Sequence, residues 1–344
     1  MSRIIILGSN GFIGSRITEL FVNDKNNIKK ILACYNHSFK IARISNLDVE
    51  RHKINVSNKE KLLELLKQDD IVINLTVSMD NEEKNIQNIC EACSVKKVKH
   101  LIHFSSIAVY GTRSGTIDEY TNFSPNNEYG MIKVNSERII ESYSSKGLNY
   151  NIIRPSIVYG PFSTTWVSRF IDKIVSGRWK FDKTNFAGNT NLLYVDDIYD
   201  VIVNLINSDS TINKSYIICN SEKLSWYNYI KAIEESIDFK EIRNQKSSII
   251  GKLINSVKNL AKLIFQLSPE IRAKIFNNPS LKNLISEVSH EIKLTNSKDE
   301  TFLYRNNVFY SSLNFQKDFP NFSYTSNEKG FRETRKWIDY FYNW

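Results

Sequence analysis

Residues Ile4-Ile-Ile-Leu7 form an unbroken apolar run, and Gly8-Ser-Asn-Gly11-Phe-Ile-Gly14 follows it at once. A short run with no polar alternation fits a strand buried on both faces, as in parallel sheets. The three glycines then have separate tasks. Gly8 permits a tight turn, Gly11 lets backbone N–H groups approach a pyrophosphate, and Gly14 lets the next helix lie close to the strand. The helix N-terminus itself favours the anion. Asn10, Phe12 and Ile13 belong to the same cradle, which is expected to hold a dinucleotide.

The chain continues in the rhythm this start requires. Patterning predicts strands at 3–7, 29–35, 71–75, 99–104 and 150–154, with helices at 12–23, 58–68, 82–94 and 127–146 between them. That alternation implies an α/β fold, a doubly wound parallel sheet of the Rossmann kind, over residues 1–160 with 190–220 returning to it. A smaller C-terminal α/β substrate-binding part, 161–344, would complete a chain of this length.

Tyr129-Gly-Met-Ile-Lys133 lies about twenty residues after Ser105-Ser106-Ile-Ala-Val-Tyr-Gly111. Residues four apart share a helix face, so the Lys133 ammonium can sit beneath the Tyr129 ring and favour its phenolate. A free tyrosine, with a pKa of roughly 10, is otherwise a poor base at neutral pH. Ser106 is placed to hydrogen-bond a substrate oxygen. A second pair, Tyr227 and Lys231, lies in Trp226-Tyr-Asn-Tyr-Ile-Lys-Ala-Ile233, which reads as an ordinary amphipathic helix.

With these motifs, and with Arg154-Pro-Ser-Ile-Val-Tyr-Gly-Pro161, Tyr194-Val-Asp-Asp-Ile198 and Lys329-Gly-Phe-Arg-Glu-Thr-Arg-Lys-Trp337, the sequence resembles the extended short-chain dehydrogenase/reductase family, the NAD-dependent epimerase/dehydratase group. The resemblance implies Ser106, Tyr129 and Lys133 as catalytic residues, with Lys133 also holding the nicotinamide ribose. Pro155 and Val158 would border the nicotinamide, Asn55 and Val56 the adenine, and Leu75 and Thr76 the cofactor channel. Asp196 and Asp197 would be scaffold.

The second strand ends Tyr35-Asn36-His37-Ser38 without the carboxylate that would accept from an adenosine ribose hydroxyl. Asn36 and His37 could instead bind a 2′-phosphate, neutralised by Lys40 or Arg43, so the cofactor is NADP or NAD with a lean toward NADP. The resemblance implies a nucleotide-sugar substrate for surface polysaccharide. Ser78, Ala108, Arg169, Arg178 and Arg305 are its candidate contacts. Ile107 and Ala108 stand where dehydratases of the family carry an Asp-Glu pair, which leaves 4-epimerisation and 4-keto reduction open. A non-catalytic redox sensor of the same fold is the alternative.

Residues 240–298 hold 11 Lys/Arg against 4 Asp/Glu, so most of the chain's net charge of +9 sits in this stretch. Within it, 249–265 reads as an amphipathic helix, either a helical insert or a peripheral membrane contact. Aromatic residues are not interleaved with these charges, so no nucleic-acid partner is expected. A homodimer is expected by analogy with the family. Four cysteines imply no disulfide framework, and Cys90-Glu-Ala-Cys93 lacks a second ligand pair, so no metal is expected. The absence of a long apolar span points to the cytoplasm.

Overall fold

The computed structural model describes residues 3–25, 30–36, 41–177, 179–237 and 298–342. His37, Ser38, Lys40, Arg178 and the basic stretch from 240 to 297, with its stripe at 249–265, lie outside the described residues. The opening run is strand β1 (Arg3–Leu7), and the glycine loop leads into helix α1 (Phe12–Asn23). The alternation continues through β2 (Lys30–Tyr35), α2 (Ala42–Ser45), β3 (Glu50–Lys53), α3 (Lys59–Leu65), β4 (Ile71–Asn74), α4 (Glu82–Val95) and β5 (His100–Phe104). After β6 (Gly115–Ile117) come α5 (Glu128–Ser142), β7 (Tyr150–Pro155), β8 (Ile157–Tyr159), α6 (Arg169–Val175), β9 (Leu192–Tyr194), α7 (Asp197–Ile206), β10 (Lys214–Ile218) and α8 (Trp226–Glu234). Helices Lys298–Arg305, Leu313–Asp318 and Asn327–Tyr342, with β11 (Val308–Tyr310), close the chain.

Seven parallel strands form the main sheet in the order β10-β7-β5-β4-β1-β2-β3. Successive side chains of β1 go to opposite faces. Ile4 and Ile6 enter one core cluster and Ile5 and Leu7 the other. Burial on both faces is why the strand shows no polar alternation. The chain builds outward from β1 to β3, then reverses through β4, so the crevice beyond Leu7 and Asn74 is the switch point where ligands bind in such sheets. Two small parallel pairs, β8 with β9 and β6 with β11, stand beside that crevice.

Two helices end earlier than the sequence reading, and one strand was missed, for local reasons. Asn58 is the cap of α3, accepting the Lys61 N–H at 2.9 Å, and Leu66 turns extended with ψ 145°, so the helix is shorter than expected. Helix α5 ends at Ser142, and Ser144–Lys146 is a separate 3-10 turn. Strand β3, Glu-Arg-His-Lys, was not expected, since an edge strand pairing on one side needs little apolar content.

Candidate active site

A cleft of about 620 Å³ opens at the switch point. Its walls include Gly8, Gly11, Phe12, Ile13 and Gly14 from the first loop, and Leu75 and Thr76 after β4. Ser106 and Ala108 follow β5, Tyr129 and Lys133 come from α5, Pro155 ends β7 and Val158 lies in β8. Residues far apart in the chain, singled out by motif alone, therefore line one cavity.

The glycines fit the dinucleotide role by two different criteria. A Cβ on Gly14 would overlap the Gly8 carbonyl oxygen and stand 2.9 Å from its carbon and 3.0 Å from the Ser9 Cα, all backbone atoms. Gly14 is thus required by helix-on-strand packing. A Cβ on Gly11 would meet only the Gly8 oxygen, at 3.4 Å, so protein packing does not demand glycine there. Gly11 lines the cleft at the N-terminus of α1, a position that favours an anion.

Tyr129 and Ser106 are brought together by backbone packing. Ser106 caps the 3-10 turn Ile107–Tyr110, its Oγ accepting the Ala108 N–H at 3.1 Å. Asn127 caps α5 by accepting the Gly130 N–H at 2.9 Å. A Cβ on Gly130 would stand 2.5 Å from the Ala108 oxygen and 3.0 Å from the Pro125 Cβ, so only glycine lets the helix start sit on the serine turn. Behind this turn Glu137 accepts from Ser105 and pairs bidentately with Arg154, which donates to the Tyr110 hydroxyl at 2.8 Å.

Lys133 is 2% exposed. Its ammonium donates to the Phe104 carbonyl at 3.0 Å, faces Glu82 Oε1 at 3.5 Å, and lies 5.9 Å from the centre of the Tyr129 ring. Burial pulls its pKa down and Glu82 pushes it back up. Burial likewise raises Glu82, with Lys133 opposing. The Tyr129 hydroxyl is raised, chiefly by burial, with a hydrogen bond to Ser106 lowering it and the Glu82 charge raising it. The expected Lys133-driven phenolate is therefore opposed, first by burial of the hydroxyl and then by the Glu82 charge. Together these shifts favour the protonated form of the Tyr129 hydroxyl.

Several sequence candidates lie elsewhere. Arg169 pairs with Glu300 and does not line the cleft. Arg305 donates to Asn185 on the exposed surface. The Ser78 hydroxyl is used within its own turn, accepting the Asn81 N–H at 3.3 Å, and Val77 faces the cleft instead. Asn10, Asn36, Asn55 and Val56 are also off the cleft wall, Asn36 and Asn55 exposed and Val56 buried in the core. Among the described residues lining the cleft the cations are Lys133 and Arg113, and no motif pointed to Arg113. Lys231 pairs with Glu234 and does not line the cleft. Cys90 and Cys93 are buried and unbonded in α4.

The two aspartates after β9 have separate duties. Asp196 pairs with Arg16 at 2.7 Å. Asp197 Oδ1 accepts the Thr325 N–H at 3.0 Å, while Oδ2 is buried without a hydrogen-bond partner among the described residues. Burial lifts its pKa from 3.8 to about 7. A carboxyl whose folded pKa is raised stabilises the fold while protonated, and that contribution is lost as pH rises through about 7. Melting temperature should fall between the ordinary carboxylate range and neutral pH, and Asp197→Asn should flatten that fall by the equivalent of about 1 kcal/mol or more. Melting curves across pH check this.

The family model described as NAD dependent epimerase/dehydratase family matches residues 4–219. A protein described as an uncharacterized UDP-glucose epimerase from Bacillus subtilis (strain 168) is 23% identical over 288 residues, 76% of this chain and 90% of that protein. The N-acetyl-alpha-D-glucosaminyl-diphospho-ditrans,octacis-undecaprenol 4-epimerase of Escherichia coli O157:H7 is 24% identical over 254 residues, 69% of this chain and 73% of that one. Among solved structures, UDP-glucuronic acid 4-epimerase from Bacillus cereus in complex with NAD superposes with a TM-score of 0.66 at 16% identity, covering 99% of both chains, a likeness of fold. No helix among the described residues is long and apolar enough to cross a membrane.

Proposed function

Since this chain belongs to the NAD dependent epimerase/dehydratase family of extended short-chain dehydrogenase/reductases, we propose that it is an NAD-dependent 4-epimerase of a sugar activated by a diphosphate, with Ser106, Tyr129 and Lys133 as its hydride-transfer site. The observation that carries this reading is the convergence of Tyr129, Ser106 and Lys133 on the wall of the glycine-loop cleft. The relatives' descriptions as epimerases support the reaction class, and their activated-sugar names support a place in surface polysaccharide assembly.

Held by the glycine loop and by Lys133 at its ribose, NAD would supply the hydride acceptor and donor, and the positive charge of its oxidised ring would favour the Tyr129 phenolate. Tyr129 then takes the proton from the substrate's carbinol oxygen, Ser106 donates a hydrogen bond to that oxygen, and the third Lys133 N–H holds the ribose. Once the ketone has turned its other face, Tyr129 returns the same proton to the oxygen, giving the inverted alcohol. Elimination of water is not proposed, since Ile107 and Ala108 offer no acid or base beside Ser106.

We propose NAD over NADP, reversing the lean from sequence, because Arg43 is already committed. It donates to Glu19 at 3.0 and 2.9 Å, and its guanidinium lies over the Phe162 ring at 4.2 Å. A 2′-phosphate would have to displace Glu19. Identification of the nucleotide released from the denatured protein by mass tests this; stoichiometric NADP would refute it.

Arg113 is proposed to hold the substrate diphosphate. Its Nε donates to the Tyr110 carbonyl at 3.2 Å, which leaves the terminal nitrogens for a bidentate anion. Arg113→Ala should raise KM for UDP-glucose roughly ten- to a hundredfold with kcat little changed, the size of a charged hydrogen bond. Arg305→Ala should leave KM unchanged. The reaction itself is tested by incubating the enzyme with UDP-glucose or UDP-N-acetylglucosamine and resolving the 4-epimers by NMR; unchanged sugar in both would refute the reading. A homodimer through α4 and α5 belongs to the same proposal and is checked by mass in solution.

A further inference from the structure

Lys133 is a charged group almost without water, and burial disfavours an ammonium unless a counter-charge is near. The counter-charge is Glu82, the first residue of α4, whose side chain is 1% exposed. Its Oε2 accepts the Ser78 N–H at 2.8 Å, so the carboxylate is fixed to the loop whose residues 75–77 line the cleft. Its Oε1 faces the ammonium, and the Phe104 carbonyl takes another ammonium proton. Two of the three N–H groups are thus directed into protein and one is left for the cleft. Glu82 itself does not line the cleft.

The other titratable groups around Lys133 serve elsewhere. Glu137, on the same helix, is taken by Arg154 and Ser105. His103 of β5 is held neutral by complete burial and by the Lys133 charge, and accepts from Asn74 at 3.0 Å. The Tyr129 hydroxyl is engaged by Ser106.

We propose that Glu82 is a positioning residue for Lys133: its buried carboxylate keeps the ammonium charged and aims its remaining N–H into the cleft. This rests on the reading of Tyr129 and Lys133 as the hydride-transfer pair.

Glu82→Gln tests it, since the amide keeps the shape and the acceptor for Ser78 but not the charge. Two readouts should move in opposite directions with pH. In the protein without added nucleotide, Lys133 lacking its counter-charge has a folded pKa further below its unfolded value, so the native state binds fewer protons than the unfolded one and its stability rises with pH. The melting-temperature deficit of the variant should therefore be largest near about pH 7 and shrink toward about pH 9.5. In the NAD-loaded enzyme turning over UDP-N-acetylglucosamine, the variant should approach the parent rate near about pH 6.5 and fall roughly tenfold or more below it near about pH 9, as Lys133 loses its proton. Glu82→Asp, which keeps the charge and shortens the reach, should be intermediate in both, and carries the test if the glutamine variant does not fold. A deficit and a rate ratio that both stay constant across pH would overturn the proposal, leaving Glu82 a purely structural residue. If the parent enzyme turns over no sugar nucleotide, that counts against the proposed function, and the melting curves alone decide on Glu82.

Discussion

Replacing Tyr129 by phenylalanine is expected to reduce turnover by about a hundred- to ten-thousandfold while nucleotide binding stays within a factor of two or so, the loss usual for a general acid–base group. The ring keeps its place, because the helix start is set by Asn127 and by the contact of Gly130 with the Ala108 carbonyl, not by the hydroxyl. What is lost is a phenol that meets both Ser106 and the cleft. Steady-state kinetics together with dinucleotide titration check this. A variant with unchanged turnover would remove Tyr129 from the chemistry, and a variant that lost nucleotide binding would make it a binding residue.

The second large effect is expected at the glycine loop, where two substitutions of the same size should behave differently. Gly14→Ala forces a methyl group against the Gly8 and Ser9 backbone, atoms that no rotamer change can move aside. It should cost about 1–3 kcal/mol of stability, as overpacking does, and abolish measurable dinucleotide affinity because the loop must shift. Gly11 has φ −78°, which alanine adopts freely, and its Cβ would meet only the Gly8 oxygen at 3.4 Å. Gly11→Ala should leave the melting temperature unchanged and still weaken dinucleotide binding roughly tenfold or more, about 1.4 kcal/mol, since its methyl group points where the anion goes. Melting curves and titrations on the two variants separate packing from binding. Equal effects on both quantities would mean that the cradle does not discriminate between them.

The sequence revealed features that act through backbone geometry or short spacing. The apolar run Ile4–Leu7 had to be buried on both faces, and Gly14 had to admit a helix close to the strand, so the sheet and its switch point were readable before any coordinates. Tyr129 and Lys133 were readable because four residues make one helical turn. Glu82 was not. At the start of a helix a glutamate reads as an ordinary first-turn acid, and its partner Lys133 is 51 residues away. That Arg113 lines the cleft and Arg169 does not was hidden for the same reason. Arg169 looked available until Glu300, 131 residues later, was seen to hold it, whereas Arg113 had no motif to mark it. Strand β3 was hidden by its own composition, since four polar residues pairing on one edge carry no hydrophobic signal. The pairing of β6 with β11, which places Val308 and Tyr310 on the cleft wall, joins segments nearly two hundred residues apart.

If a hydride leaves and returns at one carbon of a sugar within this cleft, isotope tracing will reveal it. UDP-N-acetylglucosamine or UDP-glucose carrying deuterium on C4 would be incubated with the NAD-loaded enzyme, and the recovered sugar examined by mass spectrometry and NMR. The 4-epimer is expected with deuterium still on C4, because a hydride kept within the cleft does not exchange with water. An epimer that had lost its deuterium to solvent would contradict it, since that result belongs to proton abstraction from carbon and would leave the cofactor cleft and the Tyr129–Lys133 pair without their proposed chemistry.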